Sequence, residues 1–257
     1  MKITCLGTGS IVPTKKRSYS GVLIDVGDKL LFDCGPSTLE KLTRIDQSIF
    51  DIEHLFVTHY HIDHITDMLP LIMSRAFDPM TGMPKKAKEL NIYGPGGLKD
   101  LINSVFSIEK FKETEKDLNL LNCLKLKEVT NGLVEKKEDW SVSCAPTEHF
   151  NGIAYRVEAG KKVVYSGDTA PCNSLIELAK NCDLLIHECS CPDEYLVGLH
   201  TSPSQLGEIA SKANVKKLIL NHLYPVCNGE EATMIKKIKE KFDGEVLIAE
   251  DFMTVEL

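Results

Sequence analysis

The segment His59-Tyr60-His61-Ile62-Asp63-His64 places four metal-competent side chains in six positions, directly after the strand-like run Leu55-Phe56-Val57-Thr58. A loop leaving a strand can turn His59 and His61 toward one ion while Asp63 and His64 reach a second. Neutral imidazoles with a carboxylate suit zinc and similar divalent cations. A solvated polar turn or a set of core histidines is the plain alternative, and it does not call for this density of ligand types.

Three more candidates stand where strands end: His149 after Val142–Cys144, Asp168 after Val163–Tyr165, and His222 after Leu218–Leu220. Sites in sheet proteins form beyond the carboxyl ends of strands, so remote residues sharing this context are expected to converge. Of the eight histidines, only His54 is left without a role.

Other signals carry less. His187 closes the apolar run Asp183–Ile186 and reads as a structural hydrogen-bonding residue, with Glu188 pointing the other way by strand alternation. Lys15-Lys16-Arg17 is either a phosphate contact or a solvated basic loop. Cys189 and Cys191 flank Ser190, but Cys-x-Cys lacks zinc-site spacing. Gly7-Thr8-Gly9-Ser10 lacks the dinucleotide fingerprint and the P-loop lysine, and reads as a tight turn beneath the site.

Short apolar runs bounded by Gly, Pro, Asn or Asp alternate with amphipathic stretches, which predicts a mixed α/β chain. Strands are expected over Lys2–Leu6, Gly21–Val26 and Lys29–Asp33, with Gly27-Asp28 as a hairpin turn. Helices are expected over Pro36–Arg44, Ile65–Arg75, Gly97–Ser107, Ser174–Ala179, Pro203–Ala213 and Glu230–Phe242. Ser202-Pro203-Ser204-Gln205 marks a helix start, a capping box with proline at the first helical position. Residues 109 to 139, rich in Lys and Glu, read as a peripheral excursion of a single domain spanning 1–257, because the site residues straddle them. A faint echo relates Lys29–Gly35 to Lys162–Asp168.

Composition bounds the class. The 257 residues are 43% hydrophobic and 26% charged, as expected of a soluble globular protein with a sizeable core. A net charge of −7 argues against non-specific coating of nucleic acid. Nine cysteines without a regular framework read as reduced thiols, and no signal-peptide or membrane-spanning pattern appears, so a cytoplasmic protein without membrane partners is expected.

The spacing His59-x-His61-x-Asp63-His64, with His149, Asp168 and His222, resembles the metallo-β-lactamase superfamily over essentially the whole chain. Within it, the sequence is similar to ribonuclease Z at Leu6–Ser10, Pro13, Arg17, Leu31–Gly35, Ser74–Phe77, Tyr93–Pro95, Ser166–Thr169, His187-Glu188 and, imperfectly, His200-Thr201. The resemblance implies an αββα sandwich and a homodimer. It also implies two divalent ions, zinc first with manganese or iron(II) as alternatives. One would be held by His59, His61 and His149, the other by Asp63, His64 and His222, with Asp168 bridging. Glu188 and His200 then match a pair near the scissile phosphate, the histidine protonating the leaving oxygen or steadying phosphate charge.

Ribonuclease Z proteins carry a long arm that grips transfer RNA between the His149-type and Asp168-type ligands. Here Ile153–Val157 and Lys162–Tyr165 read as two strands joined by a turn at Ala159-Gly160-Lys161, a hairpin in place of the arm. The expected reaction is phosphodiester hydrolysis by a two-metal-activated hydroxide, with Asp63 orienting or deprotonating the water. The substrate is RNA or another nucleotide. The alternatives are a small or cyclic nucleotide phosphodiesterase, an iron redox enzyme, or a non-catalytic binding module.

Overall fold

The computed structural model describes residues 1–196 and 198–257. Among the described residues, fourteen strands form two sheets of seven. The first holds β1 (Lys2–Gly7), β2 (Gly21–Asp25), β3 (Lys29–Phe32), β4 (Ile52–Phe56), β5 (Leu90–Gly94) and β6 (Leu124–Glu128). The second holds β7 (Gly132–Lys136), β8 (Ser141–Pro146), β9 (Ile153–Ala159), β10 (Lys161–Tyr165), β11 (Leu184–Glu188), β12 (Lys217–Asn221) and β13 (Glu245–Ile248). The last strand, β14 (Thr254–Glu256), returns to the first sheet and pairs antiparallel with β1.

Two-residue alternation explains the layering. In β2, Val22 and Ile24 enter the core between the sheets while Leu23 faces outward; Leu30 and Phe32 against Leu31 in β3, and Leu184 and Ile186 against Leu185 in β11, do the same. The outward rows of the first sheet are covered by helices α1 (Thr38–Arg44), α2 (Ile62–Ile65), α3 (Met68–Ser74), α4 (Leu98–Ser107) and α5 (Glu109–Leu118). Those of the second are covered by α6 (Asn173–Leu178), α7 (Pro203–Lys212) and α8 (Glu231–Lys239). The result is the expected four-layer αββα sandwich.

The echo between Lys29–Gly35 and Lys162–Asp168 has a topological basis. Strands β3 and β10 each pair antiparallel with the strand before and parallel with the strand after, opening the parallel part of their sheet. The carboxyl ends of β3, β4, β8, β10, β11 and β12 consequently meet at one edge of the sandwich.

Two local expectations change. The helix expected over Ile65–Arg75 is broken: the Asp67 N–H donates to Cys34 O at 2.9 Å, so the chain restarts as α3 after carrying Asp63 and His64 on the single turn of α2. Residues 109 to 139 lie at the periphery, but they supply β6 and β7, one edge strand to each sheet. Capping at α7 is as expected, with Ser202 N–H donating to Gln205 Oε1 at 3.0 Å. Among the described residues, no helix is long and apolar enough to cross a membrane.

Candidate metal centre

The six-residue histidine segment leaves β4 and turns into α2, and the structure gathers its side chains with the three remote ones. Ligand atoms of His59, His61, His149 and Asp168 lie within 4.8 Å of one another, as do those of Asp63, His64 and His222. Asp168 stands between the two groups. Its Oδ2 is 3.3 Å from His222 Nε2, 3.7 Å from His59 Nε2 and 4.0 Å from His149 Nε2, while its Oδ1 is 3.5 Å from His64 Nε2. Asp63 Oδ2 lies 3.5 Å from His222 Nε2 and 3.7 Å from His64 Nε2.

The outward nitrogens of His59, His64, His149 and His222 are each fixed by a partner, which aims the inward ones. His64 Nδ1 donates to Asp33 Oδ2 at 2.7 Å, and His149 Nδ1 to Leu199 O at 3.3 Å. His59 Nδ1 meets Thr58 Oγ1 at 3.1 Å, and His222 Nδ1 meets Ser190 Oγ at 3.1 Å. Such partners set tautomer and orientation in metal sites. Asp33 adopts the left-handed conformation, φ 56°, at the end of β3. There its carboxylate also accepts from Thr58 N at 2.8 Å and from Tyr165 OH at 2.9 Å, tying the second sheet to the first beneath the centre. Gly35 lets the same loop pass under the site, since a Cβ there would lie 2.0 Å from Asp63 O.

Four of the inward atoms are left without protein partners. His59 Nε2, His64 Nε2, His222 Nε2 and Asp168 Oδ1 are all buried and make no hydrogen bond. Buried polar atoms are normally satisfied, so four orphans converging on one space fit a cation that would take up their lone pairs. Electrostatics pulls the ligands in different directions while the carboxylates have only histidines as partners. Burial, reinforced by His64, pushes the His59 pKa well below its usual value, keeping the ring neutral as a metal ligand must be. Burial opposes charge on His64, but Asp168 and Asp33 outweigh it and raise its pKa well above the usual. Burial likewise opposes charge on Asp168, but His222 and His64 hold its carboxyl well below the usual range. The donor set suits a divalent metal.

Glu188 and His200 adjoin this centre. His200 Nδ1 lies 2.9 Å from Glu188 Oε1, and Glu188 also accepts from Thr169 N at 2.9 Å, Ser190 Oγ at 2.7 Å and Thr201 N at 3.2 Å. The His200 ring stacks beside His222 with centroids 5.7 Å apart. Burial disfavours its charged form, but Glu188, then Asp168 and Asp63, raise its pKa. His200, His61, Asp63, Asp168 and His222 line an open cavity of about 430 Å³ with Ile11, Tyr60, Ile62 and Tyr224.

Sequence reasoning named no role for Asp33, Thr58 or Ser190. The spacing of a strand-end aspartate gives no sign of the histidine 31 positions on that it orients. His187 is fully buried on the other side of β11 and bonds the Glu188 carbonyl at 2.6 Å, a structural role. Arg17 is 3% exposed and its guanidinium is taken up by Thr8 Oγ1 and the Ala249 carbonyl, so it makes no phosphate contact; Lys15 and Lys16 are exposed. All nine cysteines are free thiols, and Cys189 and Cys191 belong to no metal-competent group among the described residues.

Fold and site, taken with the relatives that follow, define a metal-dependent, phosphodiester-cleaving hydrolase of the metallo-β-lactamase fold and the ribonuclease Z-like kind. Residues 1–239 match the family described as anti-Pycsar protein Apyc1, and the chain belongs to it. The chain is 30% identical to a ribonuclease Z of Methanothermobacter thermautotrophicus, covering all of this chain and 97% of the relative. Among solved structures it is similar to the metallo-β-lactamase fold protein YhfI of Bacillus subtilis, with TM-score 0.81, 26% identity, and 100% and 98% of the two chains covered. The short form of human tRNase Z superposes with TM-score 0.79 at 23% identity, covering 100% and 99%.

Proposed function

We propose that this chain hydrolyses compact nucleotide phosphodiesters, cyclic ones included, in preference to precursor transfer RNA. The observation that carries this reading is the β9–β10 hairpin. Ala159 pairs with Lys161 across the single residue Gly160, φ 69°, where an arm for transfer RNA would otherwise emerge. The alignment with the Methanothermobacter ribonuclease Z supports it. That alignment runs over 312 positions against 257 residues here, so at least 312 less 257, or 55, positions of the relative have no counterpart in this chain.

In this proposal two divalent ions, zinc first with manganese or iron(II) as alternatives, would be held by His59, His61 and His149 and by Asp63, His64 and His222, and Asp168 would serve both. Divalent ions bound there supply Lewis acidity toward phosphate oxygens and lower the pKa of water. The chain's own groups do the rest. Asp63 orients the attacking water and accepts its proton. His200, held through Nδ1 by Glu188, offers Nε2 to the leaving oxygen and gives it a proton. Ser190 Oγ bonds both His222 Nδ1 and Glu188 Oε2, which ties the ligand to the carboxylate that holds His200.

RNA cleavage is the second reading, favoured by the names of the relatives. One comparison separates the two: catalytic efficiency on precursor transfer RNA and on cyclic nucleotides, in matched salt and metal. We expect the cyclic substrates to be turned over and the RNA to be cut poorly. Efficient cleavage placed at the 3′ end of the transfer RNA would favour the second reading. We also propose that the chain acts as one domain over 1–257, as a homodimer in the cytoplasm. The inner core shared by both sheets and the nine free thiols support the first and last points.

A further inference from the structure

Single exposed apolar side chains are ordinary, but a group of them gathered around a polar cleft marks a ligand or partner surface. Here they ring the mouth of the metal centre. Ile62 is 66% exposed, Phe150 65% and Ile11 40%. Ile11 and Ile62 line the cavity above Asp63 and Asp168, with Tyr60 and Tyr224. Phe150 stands edge-on to His61 and His149, with ring centroids 5.6 and 5.2 Å away.

Phe150 is presented on a fixed turn. Asn151 takes the left-handed conformation, φ 50°, and its side chain donates to Gly96 O at 2.7 Å. The Gly152 N–H donates to His149 O and the Thr147 N–H to Gly152 O, both at 3.0 Å. The turn that delivers His149 to the centre thus also holds an aromatic face out to solvent beside it.

We propose that Phe150, with Ile62 and Ile11, forms the base-binding part of the substrate site, the Phe150 ring packing against the nucleobase while the phosphate sits over the centre. The inference deepens the proposed function and rests on it. An occupant must bring an anionic group to the polar floor and a flat apolar group to the rim a few ångströms away, within a cavity of about 430 Å³. A single nucleotide has both in one molecule, and stacking on an aromatic side chain accepts any base because every base has a π face.

The test is equilibrium binding to the zinc-loaded protein, by calorimetry, of adenosine and uridine 5′-monophosphates against ribose 5-phosphate, which carries the same phosphate and sugar without a base. The nucleotides should bind about tenfold or more tightly than ribose 5-phosphate. Phe150→Ala should abolish that difference, and Phe150→Trp should retain it. Equal binding of the three ligands to the native protein, no binding of any, or a preference that survives Phe150→Ala together with Ile62→Ala, overturns the proposal. So does a change in oligomeric state on Phe150→Ala with base preference intact, which would assign the rim to a second copy of the chain. Hydrolysis of thymidine 5′-p-nitrophenyl phosphate is read separately. Base preference without hydrolysis would sink the phosphodiesterase reading alone; hydrolysis without base preference would sink this one alone.

Discussion

Asp33 Oδ2 and His64 Nδ1 lie 2.7 Å apart, and neither side chain is exposed to solvent at all. The pair joins the end of β3 to the turn of α2 and leaves His64 Nε2 as the atom that faces the centre. Asp33→Asn keeps the shape of the side chain but removes the charge that holds the ring. Metal affinity, measured by competition with a chromogenic chelator, should fall about 10- to 100-fold, as for other residues that orient metal ligands. Unchanged affinity would show that the ring is positioned by packing alone.

Metal uptake should release protons. In the metal-free protein Asp168 and Asp33 raise the His64 pKa, which favours a proton on the ring that a bound cation must displace. Calorimetric titration with zinc in buffers of differing ionisation enthalpy should show net proton release on binding. The release should shrink as pH rises through the raised His64 pKa. Release independent of pH across that range would contradict the account.

If His200 is the acid proposed above, it should set the alkaline side of the activity profile. Its pKa is raised, so the proton that serves the leaving oxygen persists above the range of an ordinary histidine and is lost as pH rises further. His200→Ala should lower kcat about 10²- to 10⁴-fold, the usual contribution of a positioned acid, with metal content intact. The alkaline limb should vanish with it. A substrate whose leaving group is p-nitrophenolate needs no protonation and should be affected least.

Gly167 tests the backbone that brings Asp168 to the centre. At φ 58° a Cβ would meet Thr58 Cβ at 2.6 Å. Gly167→Ala combines the left-handed penalty with overpacking, about 2 to 4 kcal/mol in all. Thermal unfolding of the metal-loaded variant should fall accordingly, by about 2 to 4 °C per kcal/mol in a chain of this size.

The sandwich and the centre were legible for different reasons. The alternation in β2, β3 and β11 reports both faces of each sheet, and His59, His61, Asp63 and His64 fall within a single loop, so local pattern suffices. The hairpin at Gly160 was readable from a turn between two apolar runs. Asp33 and Ser190 were not, because their roles depend on strand ends meeting across the molecule, which no spacing records. The helix expected over 65–75 failed at Asp67, whose N–H is captured by Cys34 O in a contact between distant segments. Arg17 looked like a surface cation because its neighbours are lysines; its burial is decided by Thr8 and by the Ala249 carbonyl near the other end of the chain.

The central claim is that His59, His61, His149, Asp168, Asp63, His64 and His222 hold two ions side by side. Anomalous scattering at the zinc edge from crystals of the zinc-loaded protein tests it most directly. Two peaks about 3.5 to 4 Å apart, one beside His59, His61 and His149 and the other beside Asp63, His64 and His222, with Asp168 between them, are the predicted result. A single peak at saturating zinc, or peaks away from these side chains, would contradict the two-metal centre.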